Sequence, residues 1–113
     1  MQLTNMDIES ICAKVKNGEY IISFSHTEKI RQREITSEEI EDAIRYGTII
    51  EPYSDDPRGA SCLILGFTSN GRPLHVVCGR LEDKEVLIIT AYEPDIKEWE
   101  RDWKTRKKGV KNA

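Results

Sequence analysis

Apolar residues recur at helical spacing near the start of the chain. Ile8, Ile11, Cys12 and Val15 fall at i, i+3, i+4 and i+7, and Gly18 is a natural stop, so a helix is predicted over Met6–Lys16. "YIISFS" (Tyr20–Ser25) is rich in strand formers and reads as a strand. Ser25 with Glu28 fits a capping box, which predicts a second helix from His26. Thr36 with Glu39 fits another, flanked by Ile35 and Ile40 as a hydrophobic staple, and this helix should run to about Tyr46 and end at Gly47. "TIIEPY" is a short strand before the loop "SDDPRGA", and three strands follow at Ser61–Thr68, Arg72–Arg80 and Glu85–Tyr92. Asp95 and Glu98 predict a last helix with Ile96, Trp99 and Trp103 on one face. Segregated helices and hairpins predict an α+β domain, a twisted, mainly antiparallel sheet with helices packed on one face.

Asn70-Gly71 in "SNGRPLHVVCGR" is a strong hairpin signal. A two-residue turn there pairs Leu74 with Phe67, Val76 with Leu65 and Cys78 with Leu63, an apolar set that would pack on the helices. His75 would then lie opposite Gly66 on the other face, and Cys62 and Cys78 would point to opposite faces, unable to bond. A two-residue turn at Glu82-Asp83 pairs His75 with Thr90, and a shift by two pairs it with Tyr92. In either register His75, Thr90 and Tyr92 share a face, while Leu87, Ile89 and Ala91 join the apolar one. The glycine opposite His75 leaves room for a ligand or a backbone to approach.

Composition narrows the class more than the function. With 113 residues, 33% charged and 38% hydrophobic, the chain reads as one ordinary globular domain. It has no apolar run of membrane-spanning length and no secretion-type N-terminus, so a cytoplasmic, non-membrane protein is expected. The three cysteines form no C-x-x-C pair or Cys/His cluster, so neither metal nor cofactor is expected and the thiols read as small buried groups. Residues 101–113 carry six Lys/Arg against one acid, which leaves 11 basic and 19 acidic groups for residues 1–100. The acidic body argues mildly against charge-driven nucleic-acid binding, while the basic stretch reads as a solvated helix end.

The candidate chemistry centres on the two histidines. His75 can shuttle protons near neutral pH. His26 opens a helix, where free N–H groups favour anions, and Arg33 lies seven residues on along the same face, so a phosphate could meet both. Thr90 and Tyr92 are ordinary strand residues except that they share a face with His75; Tyr92 could donate to a phosphate and Thr90 could position one. There is no Ser-His-Asp arrangement, phosphate-binding loop, paired carboxylate or metal-ligand spacing. The set suits metal-independent RNA cleavage, in which a base takes the 2′-OH proton and an acid protonates the leaving 5′-oxygen.

"FSHTEKIRQREITSEEIEDAIRYGTII", "SCLILGFTSNGRPLHVVC" and "IITAYEPDIKEW" together resemble a bacterial and archaeal family of domains of unknown function, the one numbered 4258, over about residues 20–99. The resemblance implies a fold related to the compact nucleases barnase, EndoU, colicin and the RelE-type toxins. It further implies a toxin-type endoribonuclease acting on RNA, with a small antitoxin protein as partner. His26, His75 and Tyr92 would be catalytic, and Arg33 and Thr90 would bind substrate. The family usually has Gly where this chain has Glu34, beside Arg33. The alternative is a non-catalytic protein- or RNA-binding module on the same fold.

Overall fold

The computed structural model describes residues 7–53, 59–80 and 85–107, the side chains of residues 24–26 and 80 excepted. The elements are α1 (Ile8–Lys16), β1 (Tyr20–Ile22), α2 (Phe24–Gln32), α3 (Ser37–Arg45), β2 (Thr48–Tyr53), β3 (Ser61–Phe67), β4 (Pro73–Arg80) and β5 (Val86–Tyr92). The five strands form one sheet in the order β1-β5-β4-β3-β2. β1 runs parallel to β5 and the other three pairings are antiparallel, so the mainly antiparallel α+β expectation holds.

Helix ends follow local chemistry. Asp7 caps α1 by accepting from Ser10 N at 2.8 Å. Thr36 and Glu39 close the predicted capping box on α3, with Thr36 Oγ1 accepting from Glu39 N and Glu39 Oε1 from Thr36 N. The Ser25–Glu28 box does not start α2: the helix begins at Phe24 behind Ser23, whose side chain makes no capping bond. At the other end of α2, Glu34 N donates to Arg31 O and Ile35 N to Ile30 O, while Glu34 sits at φ 59. This is a Schellman cap with its left-handed residue at Glu34 and buried Ile30 and Ile35 as the apolar pair. A left-handed residue is the place where glycine carries no Cβ penalty. Glu34→Gly should raise stability by about 0.5–1 kcal/mol, read as a higher urea midpoint at unchanged slope. An unchanged or lower midpoint would contradict the cap.

The Ser69–Gly71 turn differs from the prediction, and the difference propagates. Thr68 Oγ1 accepts from both Asn70 N and Arg72 N, Thr68 N donates to Arg72 O, and Gly71 takes φ 83. The loop therefore holds three residues instead of two. That single extra residue moves the register by one and turns β3 over relative to β4, while Leu74, Val76 and Cys78 keep the helix side, as expected. His75 lies opposite Leu65, Leu74 opposite Gly66, and Cys62 opposite Cys78, so the two thiols share a face, contrary to expectation; all three cysteines are free. Next along the sheet His75 pairs with Tyr92, the second of the two registers considered. A bulge after Val77 then places Val86, Ile88 and Ala91 in the core and leaves Leu87 and Ile89 half-buried, where Leu87 and Ile89 were expected inside. The residues of the "EDK" turn lie outside the described set.

The main core fills one side of the sheet. Ile64, Leu74, Val76, Cys78, Ile88 and Ala91 face Ile11, Val15, Ile40, Ala43 and Ile44 of α1 and α3. Gly66 does not open a ligand gap beside His75. A Cβ there would lie 1.9 Å from the Ala43 carbonyl oxygen, so the space is filled by the backbone of α3.

Candidate functional site

The second face of the sheet carries Glu51 and Tyr53 from β2, Leu63 and Leu65 from β3, His75 and Val77 from β4, and Thr90 and Tyr92 from β5. It is not open. Among the described residues the predicted last helix does not form, nor is its basic stretch helical over 101–107: residues 96–98 make a turn, Trp99 and Arg106 form an isolated antiparallel bridge, and Trp103 takes φ 63. Residues 108–113 lie outside the described set. The segment folds back as a strap. Trp99 is 2% exposed and lies edge-on to the His75 ring at 4.5 Å, whereas Ile96, expected on the same packed face, is exposed. Leu63 and Leu65 are buried without joining the main core, so the face has a small core of its own.

His75 is fully buried, against the expectation of an accessible polar strand residue. Its Nε2 lies 2.7 Å from the Trp103 carbonyl oxygen. A carbonyl only accepts, so the proton sits on Nε2 and Nδ1 carries a bare lone pair. Nδ1 has no partner among the described residues. Leaving such an atom unsatisfied costs about 1–3 kcal/mol, a cost a leucine at this position would not carry. Tyr92 stands edge-on to the same ring at 5.5 Å, so the predicted His75–Tyr92 pair is present.

Burial lowers the His75 pKa from its ordinary 6.5; the Trp103 carbonyl and the Glu51 charge pull the other way, and Arg106 adds to the lowering. The unfolded chain therefore takes up its proton first as pH falls. Stability is full above the ordinary value and declines as pH drops through it toward the folded-state value. Thermal midpoints should fall between pH 7.5 and 5.5, and His75→Leu should flatten that fall; an equal slope in both proteins would contradict the burial.

Arg33 and Thr90 also meet. Arg33 is the C-cap residue of α2, and its guanidinium donates to Thr90 Oγ1 at 3.3 Å and to the Ala91 carbonyl at 2.8 Å. β1 pairs β5 only as far as Ile88, so Arg33 takes up a carbonyl on the edge that β1 leaves free. Arg72 fixes this corner by donating to the Arg33 and Glu34 carbonyls while pairing with Glu39 and Glu93. His26 falls in the first turn of α2, and the expectation for its side chain lies outside the described residues.

Three residues of this face escaped the sequence reading. Arg106 pairs with Glu51, with Nε to Oε2 at 2.8 Å, and Tyr53 donates to Glu51 Oε1 at 2.7 Å. Burial pulls the Glu51 carboxyl upward, but the bonds from Arg106 and Tyr53 outweigh it and hold it below the usual carboxylate range. Burial and the bond to Glu51 push the Tyr53 hydroxyl well up. The Arg106 guanidinium lies 4.5 Å over the Trp99 ring. Glu51 and Tyr53 sit two apart on a strand, which puts them on one face, but nothing in the sequence brings Arg106 to them. Among the described residues no three His, Cys, Asp or Glu side chains are grouped to hold a metal ion, and no helix is long and apolar enough to cross a membrane.

No curated protein and no solved structure matches the chain. One family model does, over residues 26–93, from the first turn of α2 to just past β5. The match takes in all five residues first singled out and leaves the strap outside. The chain belongs to the family described as Domain of unknown function (DUF4258).

Proposed function

We propose that the chain is a metal-independent endoribonuclease of the toxin type, acting in the cytoplasm and held in check by a small antitoxin protein. Its fold would be kin to the compact nucleases barnase, EndoU, colicin and the RelE-type toxins. One observation carries the reading: a guanidinium from α2 reaches Thr90 on the strand whose Tyr92 stands against His75. In this reading Arg33 is the phosphate-binding cation, His75 the base and His26 the acid. In this mechanism the bare Nδ1 of His75 takes the 2′-OH proton of RNA, and the 2′-oxygen attacks phosphorus. The 5′-oxygen leaves with a proton from His26, giving a 2′,3′-cyclic phosphate and a 5′-hydroxyl. Arg33, with Thr90 and Tyr92, binds the phosphorane charge.

A non-catalytic protein- or RNA-binding module is the second reading, favoured by the complete burial of His75 and the commitment of its Nε2. Expression in a bacterial host separates the two. The ribonuclease reading expects arrested growth and fragmented RNA with wild-type protein and neither with His75→Ala. Equal growth and intact RNA in both, with a partner chain or RNA co-purifying, would leave the binding module.

A further inference from the structure

The strap is tied to itself more than to the sheet. Glu98 N and Trp99 N donate to Asp95 O, Glu100 N to Thr105 O, Trp103 N to Glu100 O and Lys107 N to Glu98 O. The Asp102 carboxylate accepts from Lys104 N, Thr105 N and the Thr105 hydroxyl. Among the described residues, none of these bonds reaches a strand of the sheet. Among the described residues the strap meets the sheet through the Trp99 ring on His75, the Trp103 carbonyl on His75 Nε2, and Arg106 on Glu51. Arg106 and Glu51 are 36% and 24% exposed and meet through two bonds, Nε to Oε2 at 2.8 Å and Nη2 to Oε1 at 3.0 Å, a bidentate pair that closes the strap at its solvent side. Trp99 packs in the small second core, so lifting it leaves the main core whole. The closed state also carries the unsatisfied His75 Nδ1 and a left-handed tryptophan. Residues 95–107 lie beyond the segment that the family model matches.

We propose that residues 95–107 are an in-cis cap, latched by the Arg106–Glu51 pair, that opens as a unit over an intact sheet to uncover His75 and Tyr92. The opening stands on the strap contacts alone; its meaning as autoinhibition rests on the ribonuclease reading.

The test uses the full chain, diethyl pyrocarbonate as a probe of the His75 imidazole read by mass spectrometry, and amide hydrogen exchange at Ile64 and Val76 as a monitor of the sheet. Arg106→Ala, which removes both the ion pair and the contact over Trp99, should speed modification of His75 by about tenfold. Glu51→Gln should speed it less, and in both variants the two amides should stay as protected as in wild type. Unchanged His75 reactivity in both variants would overturn the proposal. So would reactivity that rises only together with exchange at Ile64 and Val76, since the strap would then be part of the cooperative core. Cleavage of RNA is scored alongside. Uncovering with faster cleavage supports the cap and the ribonuclease reading together. Uncovering without cleavage upholds the cap and removes that reading, and faster cleavage with His75 still covered removes the cap.

Discussion

Gly66→Ala will unfold the domain or come close to it. The added Cβ would meet the Ala43 carbonyl oxygen at 1.9 Å, its carbon at 2.5 Å and its Cα at 2.7 Å. All three are backbone atoms inside α3, so no rotamer change relieves the clash, and the helix must leave the sheet. Its departure would uncover Ile40, Ala43 and Ile44, none of which is exposed in the native state. A loss on the order of 4 kcal/mol or more is expected, against a total of about 5–15 kcal/mol for a domain of this size. Gly71→Ala is the control. Its Cβ meets nothing within 4 Å, and only the positive φ penalises it, by about 1 kcal/mol. Denaturant midpoints of the two variants measure the contrast. A loss below about 1 kcal/mol at Gly66 would mean that α3 does not sit on this strand as described.

The contrast also shows where sequence reading stopped. Periodic apolar positions and the Thr36–Glu39 box located α1 and α3, and the Asn-Gly signal located the β3–β4 hairpin. The faces of β4 were read correctly, but those of β3 failed on one hydroxyl: Thr68 captures two turn amides, adds a residue to the loop and turns β3 over. A clue lay in the run Cys62–Leu65, unbroken by polar residues. Six consecutive residues of β3, Ser61–Gly66, are buried, as in a strand covered on both sides. The cover itself was legible only as a helix, because Trp99 and Trp103 stand at helical spacing. What decides against the helix is long-range: Trp99 fills the space over His75, and Arg106 reaches back to Glu51. The sharing of a face by His75, Thr90 and Tyr92 survived the slip, because β4 and β5 stay in one register from His75 to Val77, and Arg33 does reach Thr90.

Loss of the His75 imidazole should have the largest effect on chemistry and little on the fold. In the proposed mechanism the general base is worth about 10²–10⁴-fold in rate, and His75→Ala should forfeit that factor. His75→Leu should forfeit the same activity. It keeps an apolar body under Trp99, removes the unpaired Nδ1 and leaves stability within about 1 kcal/mol of wild type. Activity lost with stability kept would mark a group retained for chemistry rather than packing. Equal losses of both would mark His75 as a structural residue. Arg33→Ala should also slow cleavage, through the phosphate, with the Ala91 carbonyl left to water.

The most direct measurement is incubation of purified full chain with single-stranded RNA in excess chelator, with the product ends identified. Wild-type protein, and more strongly Arg106→Ala, should yield 2′,3′-cyclic phosphate and 5′-hydroxyl ends, and adding His75→Ala to either should abolish them. Intact RNA from both proteins, or cleavage undiminished without His75, would contradict the account.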